Sequence, residues 1–251
     1  MKDFSFQGKI YLGERAAPGR PGKLTWVGDQ SSCQLQLSTD SEDRTETHSG
    51  KRLQSARLTT SITATLNLTL RYFSAENVKL GLYARANNVA GATIPAEPFP
   101  ADLAVGDQVL LARSVGVTEL VIKDSAASSP KTLVEGTDYK FDPESAIVTL
   151  LRVSGLTQPL TAAYKHLGFT SMPLFTADPP ERYLFLDGVN TLDGTRIRMH
   201  LYRLRFDPVA QLDLINDSFG ELPLTAGVLF DSEAAADSTL GGFGRFETPS
   251  A

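Results

Sequence analysis

Residues 58–73, LTTSITATLNLTLRYF, alternate without a break. Ile62, Ala64, Leu66, Leu68, Leu70 and Tyr72 take every second position, and Ser61, Thr63, Thr65, Asn67, Thr69 and Arg71 fill the places between them. Successive side chains of a strand point to opposite faces, so the pattern dictates a strand with one dry face and one hydroxyl-coated face. Strands in globular proteins usually run to about five or six residues, and an ordinary sandwich has no need of one this long. A shorter ribbon, residues 31–38, sets Cys33, Leu35 and Leu37 against Gln34, Gln36 and Ser38. Cys33 reads as a small buried hydrophobe in that alternation. It is the chain's one cysteine, which excludes an intrachain disulfide and a thiolate metal cluster.

Strand signals dominate the rest of the sequence. Residues 4–12 place Phe4, Phe6, Ile10 and Leu12 on one face, and residues 23–27 carry the lone Trp26. A helix is predicted over 75–87, with Ser74 as its N-cap and Glu76 at the positive end of its dipole. Val78, Leu82 and Ala86 form its apolar stripe, flanked by Leu80 and Tyr83, and Asn87, Asn88 and Gly91 stop it. Residues 92–106, with Pro95, Pro98 and Pro100, read as a linker. Short strands follow at 107–113, 117–123, 138–141, 146–153 and 160–166. After Asp178-Pro179-Pro180, a hairpin joins Tyr183–Asp187 to Thr195–Phe206. Its second arm changes phase, from Ile197, Met199 and Leu201 to Tyr202, Leu204 and Phe206, which predicts a β-bulge near Leu201. Further strands are expected at 211–216 and 222–230, and the small, Gly-rich segment from Asp231 reads as a mobile arm. The expected division is a β core at 1–91 and 171–230, a β-rich insertion or sheet extension at 92–170, and a C-terminal arm at 231–251. The fold class is mainly β.

Catalytic signatures are missing from this sequence. His48, His166 and His200 belong to no HExxH or i, i+4 metal pair, and neither a GxSxG elbow nor a GxxxxGK[ST] loop occurs. Asp187-Gly188 and Asp193-Gly194 are turn formers around a hairpin connection rather than calcium ligands. Gly241-Gly242-Phe243-Gly244 suits a flexible arm better than a phosphate cradle. No enzymatic activity, metal or cofactor is expected. The formal net charge of −5 argues against wholesale binding of nucleic acid or an anionic membrane. No run approaches the ~20 apolar residues of a membrane span. No apolar stretch of signal-peptide length opens the chain, so synthesis in the cytoplasm is the expectation.

Two charged segments stand out. Arg196, Arg198, His200, Arg203 and Arg205 fall on one predicted strand, as a solvated face or as a contact for an acidic neighbouring subunit, with a nucleic-acid patch a third reading. Residues 39–57 hold Asp40, Glu42, Asp43 and Glu46 with Arg44 among them, then His48, Lys51, Arg52 and Arg57. They read as a flexible, charge-segregated loop, either simply solvated or docking against the next copy of the chain.

At this loop the sequence resembles the tail tube proteins (major tail proteins) of siphophages, whose tails are long and non-contractile. The carrying residues are Leu35-Gln36-Leu37-Ser38, the run to Glu46-Thr47-His48-Ser49-Gly50-Lys51-Arg52-Leu53, the alternating strand, and Ser74-Ala75-Glu76-Asn77 opening a helix. Pro98-Phe99, Gly106, Val121-Ile122-Lys123-Asp124, Gly136-Thr137-Asp138-Tyr139, Tyr164 and Phe206-Asp207-Pro208 through Leu229 extend it along nearly the whole chain. The resemblance implies a β-sandwich or half-barrel flanked by one α-helix, assembling into stacked hexameric rings. Strands of all copies would complete a continuous inner β-barrel, and DNA would pass through it without specific binding. It also implies a place in the virion tail, alongside a tape measure protein, a tail terminator and a distal tail protein. Carried over, Gln34, Gln36, Ser61, Thr63, Thr65, Asn67 and Thr69 would face the lumen. The loop residues Asp40, Glu42, Asp43, Arg44, Glu46, His48, Lys51 and Arg52 would stack ring on ring. Arg196, Arg198, Arg203 and Arg205 are expected to face another subunit or the outer surface. A distal tail or baseplate hub ring is the nearest alternative. A monomeric carbohydrate-binding sandwich, using Trp26 and Tyr11, is the other.

Overall fold

The computed structural model describes residues 3–178 and 180–249. Pro179 of the expected turn and Ser250 and Ala251 of the expected arm lie outside the described residues. The chain divides into two compact units, Met1–Arg85 with Met172–Ala251, and Ala86–Ser171. The first unit opens with β1 (Phe6–Ala17), β2 (Arg20–Trp26), β3 (Gln30–Thr45), β4 (Gln54–Leu70) and α1 (Ala75–Leu82). The second holds β5 (Asn87–Val89), β6 (Ala92–Pro98), β7 (Gln108–Leu110), β8 (Thr118–Lys123), β9 (Tyr139–Asp142), β10 (Ile147–Leu150), β11 (Thr161–His166) and β12 (Phe169–Ser171). The chain then returns to the first unit with β13 (Glu181–Asn190), β14 (Arg196–Phe206), β15 (Leu222–Val228), α2 (Ser232–Ala235) and β16 (Gly244–Glu247). The fold is mainly β, built from antiparallel sheets.

One antiparallel sheet makes up most of the first unit, in the order β2-β1-β13-β14-β15-β4-β3, with β16 also on β14. Its outermost strands, β2 and β3, are joined by only Val27, Gly28 and Asp29. That link spans at most about 14 Å, whereas six inter-strand spacings of a flat sheet cover about 29 Å. The sheet is therefore rolled, and the Gln30 side chain of β3 donates to the Gly8 carbonyl of β1 at 2.6 Å. The roll encloses one core, with Ile10, Leu66, Leu68, Leu70, Leu184, Leu204 and Phe206 almost fully buried. α1 contributes Leu80 to it, and Gly81 lets the helix approach closely: a Cβ there would sit 3.1 Å from Leu224.

Ser74 caps α1 as expected, accepting from the Asn77 amide at 3.3 Å. The helix ends earlier than its predicted stripe, because Tyr83 takes φ 51° and its hydroxyl donates to the Phe206 carbonyl at 2.7 Å. Ala86 therefore lies beyond it. The bulge falls where the phase change put it: Leu184 pairs with Leu201 but Arg182 pairs with Leu204.

Residues 211–216 form no strand, because β4 already takes up β15 from Leu222 and the turn formers Asp213, Asn216, Asp217 and Gly220 break the run. The segment from Asp231 is ordered: β16 pairs with β14, and the buried Asp231 both caps α2 and receives Arg15 at 2.8 and 3.1 Å. Small residues permit this docking, since a Cβ at Gly244 would meet the His200 carbonyl oxygen at 2.2 Å. Cys33 is exposed rather than buried, because it lies on β3 at the sheet edge.

The second unit has two three-stranded sheets, β7-β10-β9 and β6-β11-β8, and the two-stranded pair β12-β5. Leu111, Ile122, Val148, Leu150, Leu160 and Tyr164 anchor its own core. Residues 92–98 are therefore not linker. Ala92–Pro98 pairs with β11, and as an edge strand it tolerates Pro95 and Pro98, which cannot donate to a ladder.

Candidate assembly surface

β3 and β4 form one long antiparallel hairpin, paired from Gln30↔Leu70 out to Thr45↔Gln54. Residues 39–57 are thus not a flexible loop, and Asp40, Glu42, Asp43 and Arg44 are strand residues. The reason lies in polar cross-strand pairs that leave no hydrophobic period to read. Arg57 grips Asp43 at 2.7 and 2.9 Å, Gln54 donates to Asp43 at 2.8 Å, and Ser61 donates to Asp40 at 2.7 Å. The Arg57 guanidinium holds the Asp43 carboxyl below its ordinary value.

Only the turn, residues 46–53, lies outside the strands. Glu46 organises it, accepting from the His48 and Ser49 amides at 2.8 Å, from the Leu53 amide at 3.3 Å and from the Ser49 hydroxyl. These donors lower its pKa to about 2, the Ser49 hydroxyl most of all. Gly50 at φ 76° and Arg52 at φ 51° close the bend. His48, Lys51 and Arg52 point into solvent. These bonds are all made within the single chain.

The register aligns the predicted hydroxyl residues on one face. Ser32 stands opposite Thr69, Gln34 opposite Asn67, Gln36 opposite Thr65, Ser38 opposite Thr63 and Asp40 opposite Ser61. Ser32 bonds Thr69 at 3.1 Å and Ser38 bonds Thr63 at 2.7 Å, and Thr225 of β15 extends the row to Asn67 at 3.2 Å. None of Gln34, Gln36, Ser61, Thr63, Thr65, Asn67 and Thr69 is buried.

The dry face behaves differently along its length. At the root, Leu66 and Leu68 are 1% exposed. Beyond Ala64 none of the described residues covers it, and Leu37 and Ile62 are 71% and 63% exposed; past the register shift at Asp40/Ser41 the faces of β4 exchange, so Leu58, 64% exposed, stands opposite Glu42 on the hydroxyl side. The ten residues Gln54–Thr63 carry this uncovered blade over roughly 33 Å. Among the described residues, β3 has no strand on its outer edge, and β15 leaves β4 after Ala64.

The arginine strand is mixed. Arg203 is committed within the chain, donating to Glu181 at 2.9 and 2.7 Å and to the Phe230 carbonyl at 3.0 Å. Arg196 lies 3.9 Å from Asp187. Arg205 stands in the same cross-strand row as Gly227, Thr65 and Gln36, so it shares the hydroxyl face. His200 lies under the C-terminal segment, with Nδ1 2.7 Å from the Tyr183 hydroxyl and Nε2 3.4 Å from Glu247, and burial lowers its pKa.

Sequence reasoning missed one surface altogether. Leu214, Ile215 and Phe219 are 85%, 95% and 97% exposed in the irregular segment before β15. Leu214 and Ile215 fall within the strand expected at 211–216 and Phe219 lies beyond it, so nothing in the sequence signals that all three are bare.

The family model described as protein of unknown function UCP028589 matches residues 3–247. The chain belongs to that family. No curated protein matches it. In this UCP028589 chain, the described residues contain no group of three or more His, Cys, Asp or Glu arranged to hold a metal ion. Among the described residues no helix is long and apolar enough to cross a membrane.

Proposed function

We propose that the chain is the structural subunit of a siphophage tail tube. Its copies would form hexameric rings that stack around a channel for DNA. One observation carries the reading: the β3–β4 hairpin stays paired out to Thr45↔Gln54, yet the described residues cover only the root of its dry face. Burying a large aliphatic side chain gains about 1.5–3 kcal/mol, so Leu37 and Ile62 together favour a neighbour on the blade. Ordering cost is small, because the hairpin is already paired and its turn already bonded. Side-by-side copies would also satisfy the open β3 edge, and closing strands into a barrel removes every edge.

The opposite face suits a conduit. Each phosphate neutralised by Lys or Arg tightens DNA binding, whereas Gln34, Gln36, Thr63, Thr65 and Asn67 offer hydroxyls and amides. Arg71 and Arg205 are basic exceptions on this face, Arg71 met by Asp29 at 3.2 Å and Arg205 by Glu181 opposite it in the ladder. The resemblance set out above adds the partners: a tape measure protein inside the tube, a terminator at one end and a distal tail protein at the other. A carbohydrate-binding module is less well supported. Trp26 does pair with Tyr11, but the Lys9 ammonium lies 5.6 Å from the Trp26 ring and occupies the face a sugar would need.

Electron microscopy of the purified chain tests the proposal. Long uniform tubes are expected. Single rings that never stack favour a distal ring component, and a stable monomer at high concentration refutes assembly.

A further inference from the structure

We infer that the irregular segment 211–221 of one copy is the seat for the hairpin turn 46–53 of the next; this rests on the tube reading. The two surfaces lie at opposite ends of one strand. β4 begins at Gln54, beside the turn, and ends at Leu70, which pairs with Leu222 directly after the segment. A surface at one end that fits a different surface at the other makes a head-to-tail contact, which repeats without closing.

Charge complementarity selects this pair. The turn side carries Arg44, Lys51 and Arg52, all exposed, and among the described residues none of them has an ion-pair partner. Two of the nearby acids are already engaged, Glu46 by the turn amides and Asp43 by Arg57, which leaves Glu42, on β3 opposite Leu58, against these three bases. Segment 211–221 carries Asp213, Asp217 and Glu221 and no lysine or arginine. Among the described residues Glu221 has a single ion-pair neighbour, Arg71 at 3.8 Å. Apolar surface matches as well: Leu53 is 57% exposed beside the turn, against Leu214, Ile215 and Phe219 in the seat and Phe73 next to it at 68%. Such charges fix register and partner, while the apolar contacts supply the affinity.

Asp213→Lys with Asp217→Lys tests the seat. This variant is expected to fold and form rings but no tubes by electron microscopy. Adding Lys51→Glu and Arg52→Glu to the same chain is expected to restore tubes, which a folding defect would not allow. In a Cys33→Ser background, Thr47→Cys with Ser218→Cys is expected to give bismaleimide-linked dimers and longer ladders only once tubes form. Tubes from the Asp213→Lys/Asp217→Lys chain, failure of the fourfold variant to restore them, or tubes without cross-linked ladders each overturn the seat while leaving the tube intact. A wild-type chain that makes no tubes overturns the tube reading, and the seat with it.

Discussion

At Gly28 the backbone takes φ 92°, and a Cβ there would lie 2.3 Å from a Tyr72 ring carbon. This is the short link that brings the two outermost strands together, so neither the dihedral nor the aromatic can give way. Gly28→Ala is expected to cost at least about 2 kcal/mol; an unchanged urea midpoint contradicts this. Glu46 makes a pH-dependent prediction. Its folded pKa, about 2, lies below the ordinary 4.5, so its contribution is full above 4.5 and lost as pH falls toward 2. Protection of the His48 and Ser49 amides from exchange is expected to collapse in that window, and not near neutrality. Some residues were legible because their role is local: Ser74 had to cap whatever helix followed it. Cys33 was not, because burial depends on what lies opposite, and no local pattern reports that β3 is an outer strand.

Among the elements, β4 carries one sequence pattern into two environments. Leu66→Ala empties core volume and is expected to cost the isolated subunit about 2–5 kcal/mol. Ile62→Ala, four positions earlier on the same face, is expected to cost it under about 0.5 kcal/mol while reducing tube formation. Equal losses in the isolated subunit would show the blade to be covered. The bulge near Leu201 was readable because a phase slip has one cause in a strand. The outer half of the hairpin was not, because pairs such as Asp43 with Arg57 and Asp40 with Ser61 hold a ladder without any hydrophobic period. Residues 211–216 erred the other way: alternation alone does not make a strand when the adjacent edge of β4 is already taken by β15. Ala92–Pro98 was hidden by its prolines, which an edge position excuses.

Across the first unit, the C-terminal segment is a covering layer. Tyr183, Tyr202 and Ala234 are each 0% exposed and form their own cluster, with Leu240 packed against it. The Tyr202 hydroxyl donates to the Leu240 carbonyl at 2.7 Å. Ending the chain at Phe230 is therefore expected to lower Tm by several degrees and to raise dye binding to exposed apolar surface; a truncated chain as stable as the full one would show the layer to be dispensable. The sequence showed a Gly-rich tail, and flexibility was the natural inference. What it concealed is that Gly244 lies against the His200 backbone and Gly242 against the Phe230 ring.

The fifteen-residue register of β3 on β4 also has a mechanical side. Antiparallel hydrogen bonds lie perpendicular to their strands, so a pull along the hairpin strains the whole ladder at once, whereas peeling opens it one rung at a time. A rod of this construction resists stretching far better than it resists being unzipped from its tip.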